Sequence, residues 1–179
     1  MSSVATIKRN IIPPHLEVKG GRPLSGILKV SGAKNSSLAL MAASLLTKEK
    51  LLIKNVPQLT DIEVMSEILR NLGAKLTKTN NSIEINSESI HNVELPYQLV
   101  HSLRASFFCV GPLLTRLGEA KIPLPGGCNI GARPVDEHIN GLKALGAEVE
   151  VINDVVKAQV STKDKRLLGA NITLKYPSV

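Results

Sequence analysis

At 179 residues, with 43% hydrophobic and 21% charged side chains, the chain is long enough for one well-buried core and too apolar for disorder. A net charge of +7 without a basic stripe, and aromatics limited to Tyr97, Phe107, Phe108 and Tyr176, argue against nucleic acid and for a cleft that takes small anions. Two cysteines outside any metal-type spacing, no apolar leader in 1–14 and no bilayer-length segment exclude a disulfide framework and membrane insertion, and imply a cytoplasmic protein with reduced thiols.

In chain order, 27–31 reads as a strand that delivers Ser31-Gly32-Ala33-Lys34-Asn35 to the start of a helix over 35–46. A lysine and free helix N–H groups converge there, a setting suited to an anion. The spacing of glycines fits neither a phosphate loop nor a dinucleotide fingerprint. A strand over 51–56 ends at Pro57, and Thr60 with Glu63 forms a candidate capping box for the next helix. That helix ends in Leu72-Gly73-Ala74, with glycine where a left-handed C-cap is needed, and a strand pair follows over 75–79 and 82–86.

The same series then recurs. Leu145-Gly146-Ala147 repeats Leu72-Gly73-Ala74 at a spacing of 73 residues, and Val135, Leu142 and Leu145 match Ile62, Leu69 and Leu72 on one helical face. Helix 105–117, led by Arg104, matches the first helix; strand 120–124 matches the first strand; 148–152 and 155–160 match the strand pair. Each copy is predicted as strand, helix, strand, helix, strand, strand, an α/β arrangement with right-handed crossovers. Segment 168–174 resembles 24–30, so a third copy begins before Val179, and the chain is expected to be a portion of something longer.

The copies differ at one place. Pro57 to Leu72 is 15 residues and Pro125 to Leu145 is 20, the excess falling in Pro125-Gly126-Gly127-Cys128-Asn129-Ile130-Gly131-Ala132-Arg133-Pro134-Val135-Asp136. Glycines there permit close backbone approach, Arg133 forks onto phosphate or carboxylate, and a helix start adds positive potential. A thiol in that field is more acidic and more reactive than a core cysteine, which is how Cys109 reads within Phe107-Phe108-Cys109-Val110. His138, one turn into the helix, faces the same region, although a lone histidine is more often structural. No second ligand accompanies it, so no metal site is expected.

Ser31-Gly32-Ala33-Lys34-Asn35, Leu103-Arg104-Ala105-Ser106 and the block from Pro125 to Asp136 together resemble the UDP-N-acetylglucosamine 1-carboxyvinyltransferases, over about His15 to Val179. The resemblance implies an α/β (in some schemes α+β) enolpyruvate transferase fold: an inside-out barrel of repeated βαβαββ units, incomplete in this chain. It divides the chain into an extension at 1–14, strands at 15–33 that pack with a second domain, and a first domain at 34–179 of two units and the start of a third.

The implied reaction moves the enolpyruvyl group of phosphoenolpyruvate onto the 3′-hydroxyl of UDP-N-acetylglucosamine, with no cofactor. Cys128 would be the proton donor, the site of a covalent phosphoenolpyruvate adduct and the residue alkylated by fosfomycin. Lys34 would bind phosphoenolpyruvate beside Asn35; Arg104, Arg133, Pro134, Val135 and Asp136 would hold the nucleotide sugar; His138, Ser178 and Val179 are further candidates. The remaining partner would be a C-terminal half carrying the base for the sugar hydroxyl. Two positions depart from the family pattern: Glu137 replaces leucine, and Tyr176 stands where some members have lysine. A non-catalytic UDP-sugar or phosphate-binding module, and a half that assembles with a separately encoded domain, are the other readings of the same residues.

Overall fold

The computed structural model describes residues 15–124, 134–161 and 166–176. The chain divides at Val30 into two units. In the first, residues 15–30 hold no helix or strand, and Leu16, Val18, Leu24, Ile27, Leu28 and Val30 are exposed. The strand expected over 27–31, and the strands expected within 15–33, are therefore not formed. A strand needs an edge to pair with, and apolar alternation alone does not supply one.

The second unit holds both repeats. In the first, α1 (Lys34–Ala43) runs into a 3₁₀ turn, Ser44–Leu46, then β1 (Lys50–Lys54), α2 (Thr60–Asn71), β2 (Lys75–Lys78) and β3 (Ser82–Asn86). After α3 (Tyr97–Ser102), the second runs through a 3₁₀ segment, Arg104–Cys109, into α4 (Val110–Leu117), β4 (Glu119–Pro123), α5 (Asp136–Ala144), β5 (Ala147–Ile152) and β6 (Val155–Val160). The expected helix over 105–117 is thus a 3₁₀ entry followed by a shorter α-helix.

Each repeat builds a three-stranded sheet of the same order, β1-β3-β2 and β4-β6-β5, with every neighbouring pair antiparallel. Because β1 and β2 both pair antiparallel with β3, they run parallel to each other with α2 between them. The crossover expected from strand–helix alternation is present, but the third strand is inserted into it, a split βαβ unit. The strand expected ahead of the second repeat shrinks to one parallel bridge, Glu94 to Lys121, closed by Leu95 N–H to Lys121 O (3.0 Å) and Lys121 N–H to Val93 O (2.7 Å). Segment 166–176 carries no strand.

Local chemistry explains the boundaries. Gly73 and Gly146 take positive φ (102° and 87°), and Ala74 N–H reaches back to Leu69 O (3.0 Å), as a left-handed helix stop requires. Asn153 and Asp154 both lie at positive φ (51° and 60°) and form the two-residue turn between β5 and β6. The capping box is not made: Leu59 is the N-cap of α2, no side chain caps it, and Glu63 pairs with Lys78 of β2 instead. Ile62 and Leu69 of α2 and Leu72 at its C-cap are buried, as are Val135 and Leu142 in the second repeat, while Leu145 is half-buried. The buried residues join a single core cluster that extends from Leu38 to Val160. Among the described residues, no helix is long and apolar enough to cross a membrane.

Candidate active site

The site is assembled from helix starts. Gly32 packs so closely on the turn after β1 that a Cβ there would lie 1.7 Å from the carbonyl oxygen of Asn55. That contact fixes the chain just ahead of α1, whose first residue is Lys34. Ser37 N–H and Oγ both bond to the Ala33 carbonyl (3.1 and 3.0 Å), closing the first turn. Lys34 Nζ lies 2.6 Å from Asp61 Oδ2, in the first turn of α2, with both side chains partly exposed. Two helix N-termini, a lysine and a carboxylate therefore meet at one place, and Asn35 is exposed beside them. Asp61 was not among the residues singled out from sequence. Its only signal is an acidic residue in a helix first turn, which ordinarily reads as a dipole partner.

Arg104 is the counterpart in the second repeat. It opens the 3₁₀ segment after an extended Leu103, is exposed, and has no hydrogen-bond or ion-pair partner among the described residues. Helix α1 packs against both α2 and this segment. Phe107, three residues beyond Arg104, meets the His138 ring edge-on (centroids 5.3 Å apart, planes at 85°), joining the Arg104 segment to the first turn of α5. His138 is thus engaged by an aromatic ring.

At α5, Val135 is buried and its carbonyl accepts Ile139 N–H (3.0 Å), while Pro134 and Asp136 are exposed. No hydrogen bond or ion pair among the described residues joins Lys34, Arg104 and Asp136 to one another. Cys128, Arg133, Ser178 and Val179 lie outside the described residues. Cys109 is fully buried, and burial pushes its thiol up to about 12 from an ordinary 9.0, which suits a core residue.

The second unit thus consists of two split βαβ repeats, each led by a cation, and this fold is shared with a solved enolpyruvyl transferase. The crystal structure of the enolpyruvyl transferase NikO from Streptomyces tendae matches 83% of this chain and 32% of its own, with a TM-score of 0.68 and 23% identity. The chain belongs to the EPSP synthase (3-phosphoshikimate 1-carboxyvinyltransferase) family, whose model matches residues 18–179. All 179 residues align at 97% identity with a UDP-N-acetylglucosamine 1-carboxyvinyltransferase of Prochlorococcus marinus strain NATL2A, and at 55% with that of strain MIT 9313. The chain spans 39% and 41% of the lengths of these two relatives.

Proposed function

We propose that this chain contributes the first-domain half-site for enolpyruvyl transfer from phosphoenolpyruvate to the 3′-hydroxyl of UDP-N-acetylglucosamine, the first committed step of cytoplasmic peptidoglycan synthesis. The observation that carries this reading is the 97% identity, over the whole chain, to a protein named for that reaction. Cell-wall growth, shape and division would depend on it, and Cys128 would make it a target of fosfomycin.

The proposed chemistry follows from residue types. The Cys128 thiol protonates C3 of phosphoenolpyruvate as the sugar oxygen bonds to C2, giving a tetrahedral adduct; C2 then loses phosphate as a proton leaves C3 and the double bond re-forms. Positive charge develops at C2 during protonation, so a placed acid lowers the barrier. Lys34, Arg104 and Arg133 offset the phosphate charge and orient it for departure. Asn35, Pro134, Val135 and Asp136 would position the nucleotide sugar, and His138 would support the α5 turn through Phe107. The hydroxyl proton goes to a carboxylate that the resemblance assigns beyond these 179 residues.

The test is phosphate release from phosphoenolpyruvate plus UDP-N-acetylglucosamine. It would use the purified chain, alone and mixed with the remaining portion of the relatives' length, with Cys128→Ser as control. Release that requires the added portion and Cys128 is expected. Binding of UDP-sugar with no turnover in the mixture would favour a binding module, and binding of neither substrate would overturn the proposal.

A further inference from the structure

Segment 166–176 is laid along α5 in the antiparallel sense. Leu168 N–H bonds to Leu145 O (2.8 Å) at the helix end, Ile172 Cδ1 comes within 4.0 Å of where a Cβ on Gly141 would lie at mid-helix, and Lys175 N–H donates to Glu137 Oε2 (3.0 Å) at the helix start. The first two contacts are a terminal carbonyl and a packing touch, of the kind any helix can offer. The third spans 38 residues and depends on one side chain.

Glu137 is an uneconomical choice for packing alone. It is half-buried, and its Oε1 is buried without a partner among the described residues, whereas an aliphatic side chain would leave no polar atom to satisfy. The carboxylate instead holds the backbone of Lys175 at the first turn of α5, and Tyr176, with about half of its surface exposed, is the next residue in the chain.

We propose that Glu137 is a positioning residue for the nucleotide moiety of the substrate. By tethering Lys175 it holds the end of segment 166–176, and with it Tyr176, at the start of α5, where Asp136 is exposed. The nucleotide then meets two chain segments held at a fixed separation. This role rests on the nucleotide-sugar reading above and assigns Glu137 no contact with phosphoenolpyruvate.

The experiment uses the 179-residue chain and UDP as the probe. UDP affinity and Lys175 amide hydrogen exchange are measured for the unaltered chain, Glu137→Leu and Glu137→Gln, with inorganic phosphate titrated in parallel. Glu137→Leu should weaken UDP about tenfold, the scale of one charge-assisted hydrogen bond, and lose Lys175 protection. Glu137→Gln keeps an acceptor oxygen and should stay within about twofold of the unaltered chain. Phosphate affinity should not move in either variant. UDP binding to Glu137→Leu as tight as to the unaltered chain, or retained Lys175 protection, would overturn the positioning role alone. Failure of the unaltered chain to bind UDP would overturn the nucleotide reading and this role with it.

Discussion

Gly32 carries a steric demand that no other residue type meets. Its backbone φ is not in the left-handed region; the restriction is the Asn55 carbonyl, 1.7 Å from any added Cβ. Gly32→Ala must push the α1 start away from β1, and overpacking of this kind costs about 1–3 kcal/mol. Gly141→Ala is the matched comparison, because its Cβ would meet only Ile172 Cδ1 at 4.0 Å and α5 would gain about 0.5–1 kcal/mol of helix propensity. Urea unfolding should lower the midpoint for the first and raise it for the second; equal midpoints would dispose of the close approach at Gly32. Asp61 makes a different kind of prediction. It stands 2.6 Å from the lysine proposed to receive phosphate, so an incoming anion meets both the lysine and a like charge. At about 4 Å in water that repulsion is roughly 1 kcal/mol, or about fivefold in affinity. Asp61→Asn should therefore tighten phosphoenolpyruvate binding by about fivefold at low salt, by direct titration, and weaker binding would make Asp61 a necessary aligner of Lys34. The place of Lys34 at the start of α1 was legible because a cation next to a glycine turn at a helix start is a local pattern. The pairing of Asp61 with it was not, because that pair comes from α1 packing beside α2.

Elements were legible where their signal was local. Both Leu-Gly-Ala helix stops, both strand pairs and the helices between them lie within a few residues of expectation, since left-handed glycines and apolar periodicity act over short range. The failures share a cause. Thr60 and Glu63 have capping-box spacing, but Glu63 is taken by Lys78 on a neighbouring strand. The leading segments have strand composition without an edge to join. The insertion of β3 between β1 and β2 is likewise invisible to a pattern read along the chain. Arg116, at the end of α4, shows how far tertiary demand outruns motif reading. One Nη1 donates to Leu45 O (3.0 Å), Thr47 O (3.0 Å) and Ser87 O (2.9 Å), so a residue of the second repeat binds two ends of the first. Three carbonyls converge on one guanidinium nitrogen, and charged donors contribute more than neutral ones. Arg116→Met should lower unfolding free energy by roughly 2–4 kcal/mol, and Arg116→Lys should recover less than half, because the shorter lysine side chain carries its ammonium short of the Nη1 position. Equal stabilities of the Lys variant and the unaltered chain would show that charge, not geometry, makes the latch.

At the scale of the second unit, the question is whether two repeats behave as two folding units or one. Repetition by itself favours independence, since each copy has its own sheet and its own helix between parallel strands. The packing argues the opposite. Helix α1 lies against the Arg104–Cys109 segment as well as α2, Arg116 crosses between the copies, and the buried apolar residues of both form one contiguous cluster. Each sheet packs on helices of its own repeat, and it is the helices and 3₁₀ segments that pack across from one repeat to the other. This packing was hidden in the sequence, which displayed the repeat as a separable period because side chains that pack across copies sit far apart along the chain. Leu45 and Ile122 offer a direct test: each is fully buried, one in each repeat. Leu45→Ala and Ile122→Ala should each cost about 2–5 kcal/mol. Both should shift a single urea transition, with circular dichroism and core-amide exchange reporting the same midpoint. If Leu45→Ala shifted only an early phase and Ile122→Ala only a later one, the repeats would be independent. The helix starts carrying Lys34 and Arg104 would then be held in register by nothing stronger than their connecting chain.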